Sequence, residues 1–189
     1  LAELVKIDPK SIGVGQYQHD VNQSKLKKGL TGVVEDCVNF VGVDLNTASA
    51  PLLAYVSGIG ETVAKNIVKK REELGGFKTR EQLLKVSRFS QKVLEQSGGF
   101  LRIYGGEHPL DATFIHPERY EILENWVKEQ GHTLQELIED KDIIAKLEGD
   151  KTLRSTIGEY THDDIVKALK APSQDPRTEF KSTDFRKDI

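Results

Sequence analysis

The sequence predicts an all-α protein with two consecutive helical hairpins at its centre. A glycine-containing turn at residues 56–60 is followed at once by an amphipathic helical pattern. Thirty positions later, residues 86–94 align without gaps on residues 56–64, and a second helical pattern follows. Elsewhere apolar residues recur mainly at the 3.6-residue period of a helix. These three observations indicate a duplicated helical unit within a helical chain.

The first turn reads Val56-Ser57-Gly58-Ile59-Gly60. Glycine tolerates positive φ, so this segment can turn tightly and leave backbone N–H groups pointing outward. The positive end of the following helix lies beside those groups, which is the arrangement that binds a phosphate. Ile59 is expected to point inward between two helices. The alternative interpretation is a tight turn between helices that binds no ligand.

The second turn departs from the first at both glycines. Arg88 and Ser90 stand where the first turn has Gly58 and Gly60, and Phe89 takes the place of the inward isoleucine. The loss of both glycines puts a second backbone phosphate site in doubt. Arg88 and Lys92 could contact a phosphate through their side chains, but a purely structural role is the interpretation we favour.

Cap residues define the segment between the two turns. Gly75-Gly76 is expected to end the first long helix. Thr79 with Gln82 matches a capping box and is expected to start a short linking helix. Together these features predict two helix-hairpin-helix elements over residues 44–104, with Asn46 or Ser49 capping a short helix at residues 51–55.

The flanking segments are also predicted to be mostly helical. Residues 24–41 form an apolar stripe that indicates a long connecting helix at the end of an upstream domain, residues 1–43. Cys37 lies on that stripe and is interpreted as a structural thiol. Residues 105–170 are predicted to be a small acidic helical domain, with helices starting at Pro117, at a Thr133–Glu136 capping box and at Thr161. Residues 171–189 are expected to be an extended linker.

Charge is distributed unevenly along the 189 residues. The chain has net charge −3, but residues 44–104 carry net +4 and residues 105–189 carry net −7. The positive charge thus lies in the hairpin segment, where a phosphate backbone would bind. The alternative is that these lysines and arginines simply solvate a helix face.

Composition points away from several classes of protein. No apolar run approaches the roughly 20 residues of a membrane span, so no membrane partner is expected. One cysteine cannot form an internal disulfide, which favours a cytoplasmic location. Five scattered histidines and one cysteine give no metal-ligand spacing, and we expect no catalytic residues, no metal-dependent enzyme and no organic cofactor. The chain lacks methionine and begins with leucine, so we expect an internal part of a longer protein.

The segment VSGIGETVAKNIVKKREELGGFKTREQLLKV resembles the tandem helix-hairpin-helix (SAM-like) domain of competence and repair proteins. The flanks, which include GVGQYQHDVNQ and GGFLRIYGGEHPLDATFIHPERY, are similar to the Tex family of bacterial transcription accessory proteins. Members of that family are longer and carry an RNase H-like domain before this region and an oligonucleotide-binding barrel after it.

The resemblance implies a non-catalytic module that binds DNA or RNA through the phosphate backbone, without sequence preference. The residues it implies for nucleic-acid binding are Ser57, Gly58, Ile59, Gly60, Thr62 and Lys65, with Arg88 and Lys92 in the second hairpin. It also implies that the backbone carbonyls of Val56 and Ile59 hold a monovalent cation.

The alternative function is a protein-interaction scaffold that docks partners from the transcription machinery. Residues 105–170 would supply the docking face. A large exposed apolar patch around Tyr120 and Trp126 would favour that alternative.

Overall fold

The computed structural model describes residue 11 and residues 13–170, and it confirms a mainly helical fold with tandem helix-hairpin-helix units. The α-helices of the described residues are α1 (Gln23–Val41), α2 (Ala50–Leu53), α3 (Glu61–Leu74), α4 (Gln91–Ser97), α5 (Tyr120–Glu129), α6 (Leu134–Glu139), α7 (Lys141–Gly149), α8 (Lys151–Ile157) and α9 (Glu159–Lys170). In the same part of the chain, 3-10 helices span Arg80–Lys85, Pro109–Ala112 and Pro117–Arg119. The predicted linker at residues 171–189 lies outside the described residues.

Helix α1 agrees closely with the predicted connecting helix. The Asn22 side chain accepts hydrogen bonds from the amides of Ser24 and Lys25, and Gly42 ends the helix at φ 77°. Val34 and Val38 are buried against the hairpin module. Cys37 is only half-buried, so it lies at the edge of this contact and not within the core.

Two short strands were not predicted. Strand β1 (Val43–Asp44) pairs in parallel with β2 (Leu101–Arg102), with Val43 opposite Leu101. Two residues are too few to show the alternating pattern of a strand, so the sequence carries no signal for this pair. The pairing joins the two ends of the hairpin module.

The apolar side chains form two separate cores. The first lies within the hairpin module and includes both inward residues of the turns, Ile59 and Phe89. The second lies among helices α5 to α9 and includes Leu123, Trp126 and Leu147. A helical hairpin buries one face per helix, so each core needs its own set of helices around it.

Helix starts in the second core follow the prediction only in part. The Thr133–Glu136 capping box is present, with both reciprocal hydrogen bonds formed. The predicted cap at Thr161 is wrong, because α9 already begins at Glu159, directly after Gly158 at φ 88°. The glycine ends α8 and allows the next helix to start two residues earlier than the threonine suggested.

The predicted capping box at Thr79 is also wrong. Residues Arg80–Lys85 form a tight 3-10 helix, and Thr79 makes no side-chain cap. The Gln82 amide donates instead to the Thr79 backbone carbonyl at 3.2 Å, and the Gln82 side chain accepts from the Lys78 amide at 2.8 Å. Asp111 from the second module accepts the Arg80 amide at 2.9 Å.

Arg80 connects the two cores. Its guanidinium is buried and donates to the carbonyls of Leu101 (2.6 Å), Thr113 (2.5 Å) and Ile115 (2.7 Å). It also donates to the Tyr120 hydroxyl at 2.6 Å, and that hydroxyl donates to Asp111 at 2.6 Å. Burial lowers the pKa of Arg80 and raises the pKa of Tyr120. The residue thus links the end of β2 to the first segments of the second module.

Candidate nucleic-acid interface

The fold requires a glycine at the first turn. Gly58 has φ 82°, and a Cβ added there would lie 2.8 Å from Cβ of Gln96. The Ile59 amide donates to the Val56 carbonyl at 3.0 Å and closes the turn, while the Ile59 side chain is 4% exposed. The turn is therefore built as predicted, with the aliphatic residue inside and the glycine exposed.

Gly60 has a different role. Its φ is −86° and ψ is 167°, values that any residue can adopt. A Cβ added there would meet nothing within 4 Å, so the packing does not require a glycine. Gly60 is the N-cap of α3 and supplies no side-chain hydrogen bond to the first turn of that helix. The amides of this turn are consequently left without a side-chain cap, which is the state in which a helix N-terminus can accept an anion.

Other predicted residues at this turn have different surroundings. The Ser57 amide donates to Asn39 Oδ1 at 3.1 Å, so α1 already holds it. Thr62 and Lys65 are exposed on α3. The Val56 carbonyl accepts the Ile59 amide, so a cation there would use its remaining lone pair. The cation site at Val56 and Ile59 remains a prediction.

Carboxylates oppose the approach of an anion on one side of the first hairpin. Glu35 and Asp36 of α1 line a cavity of about 430 Å³ beside the turn, together with Asn39 and residues 54–60. Glu61 is the first residue of α3 and is exposed. Like charges repel phosphate, so an anion would approach the α3 amides from the side away from α1.

The second turn has the same backbone as the first despite the loss of both glycines. Arg88 has φ 66°, the only positive φ of a non-glycine residue among the described residues. The Phe89 amide donates to the Val86 carbonyl at 3.1 Å, which matches the closing bond of the first turn. Ser90 has φ −96° and ψ 166°, close to the values at Gly60. The two substitutions therefore leave the conformation of the turn unchanged, and phosphate binding by the second hairpin stays a prediction.

The two hairpins differ in how the following helix is capped. The Ser90 hydroxyl accepts the Val93 amide at 3.4 Å, so α4 receives an internal cap where α3 has none. Arg88 and Lys92 are exposed beside it. The second hairpin therefore offers cationic side chains and one fewer free amide.

Each hairpin helix supports the turn of the other hairpin. Asn66 Nδ2 on α3 donates to the Ser87 carbonyl in the second turn at 2.9 Å. Gln96 on α4 lies against Gly58 in the first turn. Positions 66 and 96 are thirty residues apart, the same offset as the two turns, so the duplication in sequence is also a duplication of contacts.

The basic side chains of α3 divide into structural and exposed groups. Arg71 Nη1 donates to the carbonyls of Leu45 (2.9 Å) and Ala48 (2.7 Å) and thereby ties α3 to the preceding loop. Lys70 pairs with Glu73 at 3.1 Å. Lys65 and Lys69 are exposed and are the α3 cations best placed to attract a phosphate backbone.

A third copy of the hairpin sequence lies in the acidic module. Residues 155–167 align without gaps on residues 57–69, and seven of the thirteen positions are identical. This third copy was not predicted, although its gapless alignment is visible in the sequence. Here α8 continues to Ile157, and the Gly158 amide donates to the Arg154 carbonyl at 3.1 Å, so the open turn is absent. Asp163 and Asp164 replace Lys65 and Asn66, which removes the attraction for phosphate.

The residues proposed as a docking patch are not exposed. Trp126 is 5% exposed, and its Nε1 donates to Asp150 Oδ2 at 2.8 Å. The Tyr120 ring stacks on His108 with 4.4 Å between ring centroids, and its hydroxyl accepts a hydrogen bond from the Arg80 guanidinium. The apolar patch that would have favoured a protein-docking face here is therefore absent from these residues.

Comparisons with known proteins agree with this architecture. A helix-hairpin-helix motif family matches residues 38–102, and an HHH domain family matches residues 108–177. The chain is 53% identical over 189 residues to the transcriptional accessory protein Tex of Neisseria gonorrhoeae, and all of it is aligned. The chain belongs to the Tex family.

Other relatives show similar coverage. Protein YhgF of Escherichia coli is 52% identical over 185 residues, which are 98% of this chain and 24% of that protein. The human S1 RNA-binding domain-containing protein 1 is 36% identical and aligns with the whole chain and 25% of its own length. The chain thus spans about a quarter of the length of these relatives.

The family matches and the structure define what the chain can do at a general level. Helix-hairpin-helix motifs and the Tex relatives support a general nucleic-acid-binding role. Within residues 13–170, no group of three histidine, cysteine, aspartate or glutamate side chains is arranged to hold a metal ion. No helix in that part of the chain is both long and apolar enough to cross a membrane.

Proposed function

We propose that this chain is a non-catalytic nucleic-acid-binding module of a transcription accessory protein, and that its first hairpin contacts the phosphate backbone without sequence preference. The observation that carries the proposal is the uncapped start of α3 at Gly60, with open space around it. Backbone amides read phosphates and not bases, so such a contact is independent of sequence.

Electrostatics support this assignment. The N-terminus of a helix carries roughly half a positive charge, and α3 has fourteen residues to build that dipole. Residues 44–104 carry net charge +4, and Lys65 and Lys69 are exposed along α3. Glu61 and the α1 carboxylates oppose this field, so we expect modest affinity with a strong dependence on salt.

In this proposal the second hairpin has a supporting role. Its backbone has the same conformation as the first, but the Ser90 hydroxyl occupies an amide at the start of α4. Arg88 and Lys92 then supply side-chain contacts to a neighbouring phosphate. The contribution of these contacts should be smaller and more sensitive to salt than that of the first hairpin.

The difference between Gly60 and Ser90 provides the test. In Gly60→Ser, the new hydroxyl should cap the Val63 amide as Ser90 caps Val93, whereas Gly60→Ala adds the same Cβ without a hydroxyl. We expect Gly60→Ser to weaken binding to single-stranded and duplex DNA and RNA several-fold more than Gly60→Ala. Fluorescence anisotropy over a salt series measures this. Equal affinity of wild type and folded Gly60→Ser would refute the phosphate site.

A second candidate function, protein docking, is favoured by one observation in the third hairpin. Tyr160 is 88% exposed, and three carboxylates lie near it in sequence on α9: Glu159 and Asp163, which both pair with Arg154, and Asp164, which lies 4.0 Å from Lys167. An exposed ring among carboxylates suits a lysine- or arginine-rich protein segment. Replacing Asp163 and Asp164 by asparagine should abolish binding of a lysine-rich peptide, and unchanged binding would remove this candidate. Contacts with transcription-machinery proteins and a cytoplasmic location remain predictions.

A further inference from the structure

A groove of about 500 Å³ lies between the two modules. The end of α1, the loop after α4, the loop before α5 and one face of α9 form its walls. Four rings line it, those of Phe40, Phe100, Phe114 and His116. Its volume lies within the range of small-molecule sites, roughly 300–1,000 Å³.

Phe40 is the most unusual of these residues. It lies in the last turn of α1 and is 60% exposed, whereas Val43 and Leu101 in the strand pair that follows are buried. Phe100 and Phe114 are half-buried and are fixed by the fold: the Phe100 carbonyl accepts the Val43 amide, and the Arg102 guanidinium lies 3.6 Å from the Phe114 ring centroid. The groove therefore presents one accessible ring above a rigid aromatic floor.

Charged side chains at the rim favour an anionic occupant. Arg119 and Lys167 line the groove on the α5 and α9 sides. Asp164 also lines it, and its carboxylate lies 4.0 Å from Lys167 Nζ, so these two charges largely offset each other and Arg119 supplies the net positive charge of the rim. An aromatic floor with cations at the edge is the combination that single-stranded nucleic acid uses, because bases stack on rings while phosphates contact cations.

We propose that this groove binds an unpaired nucleotide of a single-stranded nucleic acid, with its base stacked on Phe40 and its phosphates near Arg119 and Lys167. The proposal rests on the nucleic-acid-binding function proposed above. It adds a site that binds a base by stacking on an aromatic ring, whereas the hairpins contact only the phosphate backbone.

The groove is continuous with the first hairpin. Asn39 lines both the groove and the cavity beside the Ser57–Gly60 turn, and its Oδ1 accepts the Ser57 amide at 3.1 Å. Phe40 follows it directly in the chain. Glu35 and Asp36 line that intervening cavity and repel phosphate, so the groove is expected to bind its nucleotide independently of the first hairpin.

The test compares two fluorescein-labelled oligonucleotides of equal length and charge, one with bases and one with abasic positions. Anisotropy titrations use the full chain and the variants Phe40→Ala, Phe40→Leu and Phe40→Tyr. Stacking on an aromatic side chain contributes to affinity for each base, so Phe40→Ala should weaken binding of the base-containing strand about tenfold. It should leave the abasic strand unchanged. Phe40→Tyr should keep the wild-type affinity, whereas Phe40→Leu, which places an apolar side chain without a π face there, should be as weak as Phe40→Ala.

The outcomes separate this proposal from the hairpin proposal. Gly60→Ser should weaken both oligonucleotides, because both carry phosphates. If Gly60→Ser has that effect and Phe40→Ala has none, the groove proposal fails and the hairpin proposal stands. Equal weakening of both strands by Phe40→Ala, or wild-type affinity in Phe40→Leu, would also refute stacking and indicate a protein or structural contact. If wild type binds neither strand at low salt, both proposals fail.

Discussion

Replacing Arg80 should be the most destabilising single substitution at the junction of the two modules. The Arg80 guanidinium donates to three carbonyls and one hydroxyl while it is almost fully buried. In Arg80→Ala, those acceptors lose their donors. The buried Asp111 carboxylate then keeps only two hydrogen bonds, from the Tyr120 hydroxyl and from the backbone amide of residue 80.

The expected loss follows from these contacts. Removing one partner of a buried charged group costs about 3–5 kcal/mol, because the remaining charge is not compensated. For a protein of 150–250 residues, each kcal/mol lowers the melting temperature by roughly 2–4 °C. We therefore expect a decrease of about 6–20 °C. Arg80→Lys should recover only part of it, because an ammonium group has three donors and cannot reproduce the planar fork of a guanidinium.

Urea unfolding monitored by two probes provides the assay. Trp126 fluorescence reports the second core, and circular dichroism reports all helices. The wild type should show coincident transitions, and Arg80→Ala should show a separated, earlier transition in one module. Lys85→Ala is the matched control, because it lies in the same 3-10 helix with an exposed side chain and should change stability by less than about 0.5 kcal/mol. A loss below about 1 kcal/mol in Arg80→Ala would refute the assigned role.

Three further results are expected. Gly58→Ala should cost about 1–2 kcal/mol in urea unfolding, because of its positive φ and the close Gln96 side chain, while Gly60→Ala should be nearly neutral; equal effects would contradict the assigned turn geometry. The amides of Leu153 and Thr152 and the Trp126 indole lower the pKa of Asp150. The ionised Asp150 carboxylate should therefore stabilise the fold fully above its ordinary pKa of about 3.9, and this stabilisation should be lost as the pH falls through the lower pKa of the folded state. The difference in unfolding free energy between wild type and Asp150→Ala should thus shrink only below about pH 4. A fragment ending at Tyr104 should melt at lower temperature than the full chain, because it lacks the Arg80 acceptors at Thr113, Ile115 and Tyr120; an unchanged melting temperature would show that the modules are independent.

The sequence predicts those parts of the fold whose signals are local. The 3.6-residue period of α1, the left-handed Gly75 that ends α3 and the Thr133–Glu136 box each depend on a few neighbouring residues. The capping box at Thr79 fails for the opposite reason. Asp111, thirty-one residues away, accepts the Arg80 amide at the start of that turn, and no local pattern reveals a contact at that distance.

The candidate site also contains some residues that local sequence patterns predict and others that only distant contacts bring together. Gly58 and Ile59 could be assigned from the pattern of the turn itself, because backbone conformation and burial alternate there. The groove at Phe40 could not be predicted, because its rings come from residues 40, 100, 114 and 116 and meet only in the folded chain. The charge pattern sets the acidic region apart from the hairpins, but it carries no signal for the buried Arg80 that links the two.

Comparison of the three hairpin copies shows which positions carry the fold and which carry the chemistry. The inward residue is apolar in each copy, as Ile59, Phe89 and Ile157, because each helix pair needs a side chain at its centre. The residue after it differs: Gly60 leaves the first helix uncapped, Ser90 caps the second, and Gly158 interrupts the third after a continuous α8. Arg88 adopts a positive φ like Gly58, so the first position of the turn does not distinguish the first two copies. They differ at the helix start, where the amides of α3 have no side-chain cap and the Ser90 hydroxyl caps α4, and we infer that this difference determines which of the two can bind an anion.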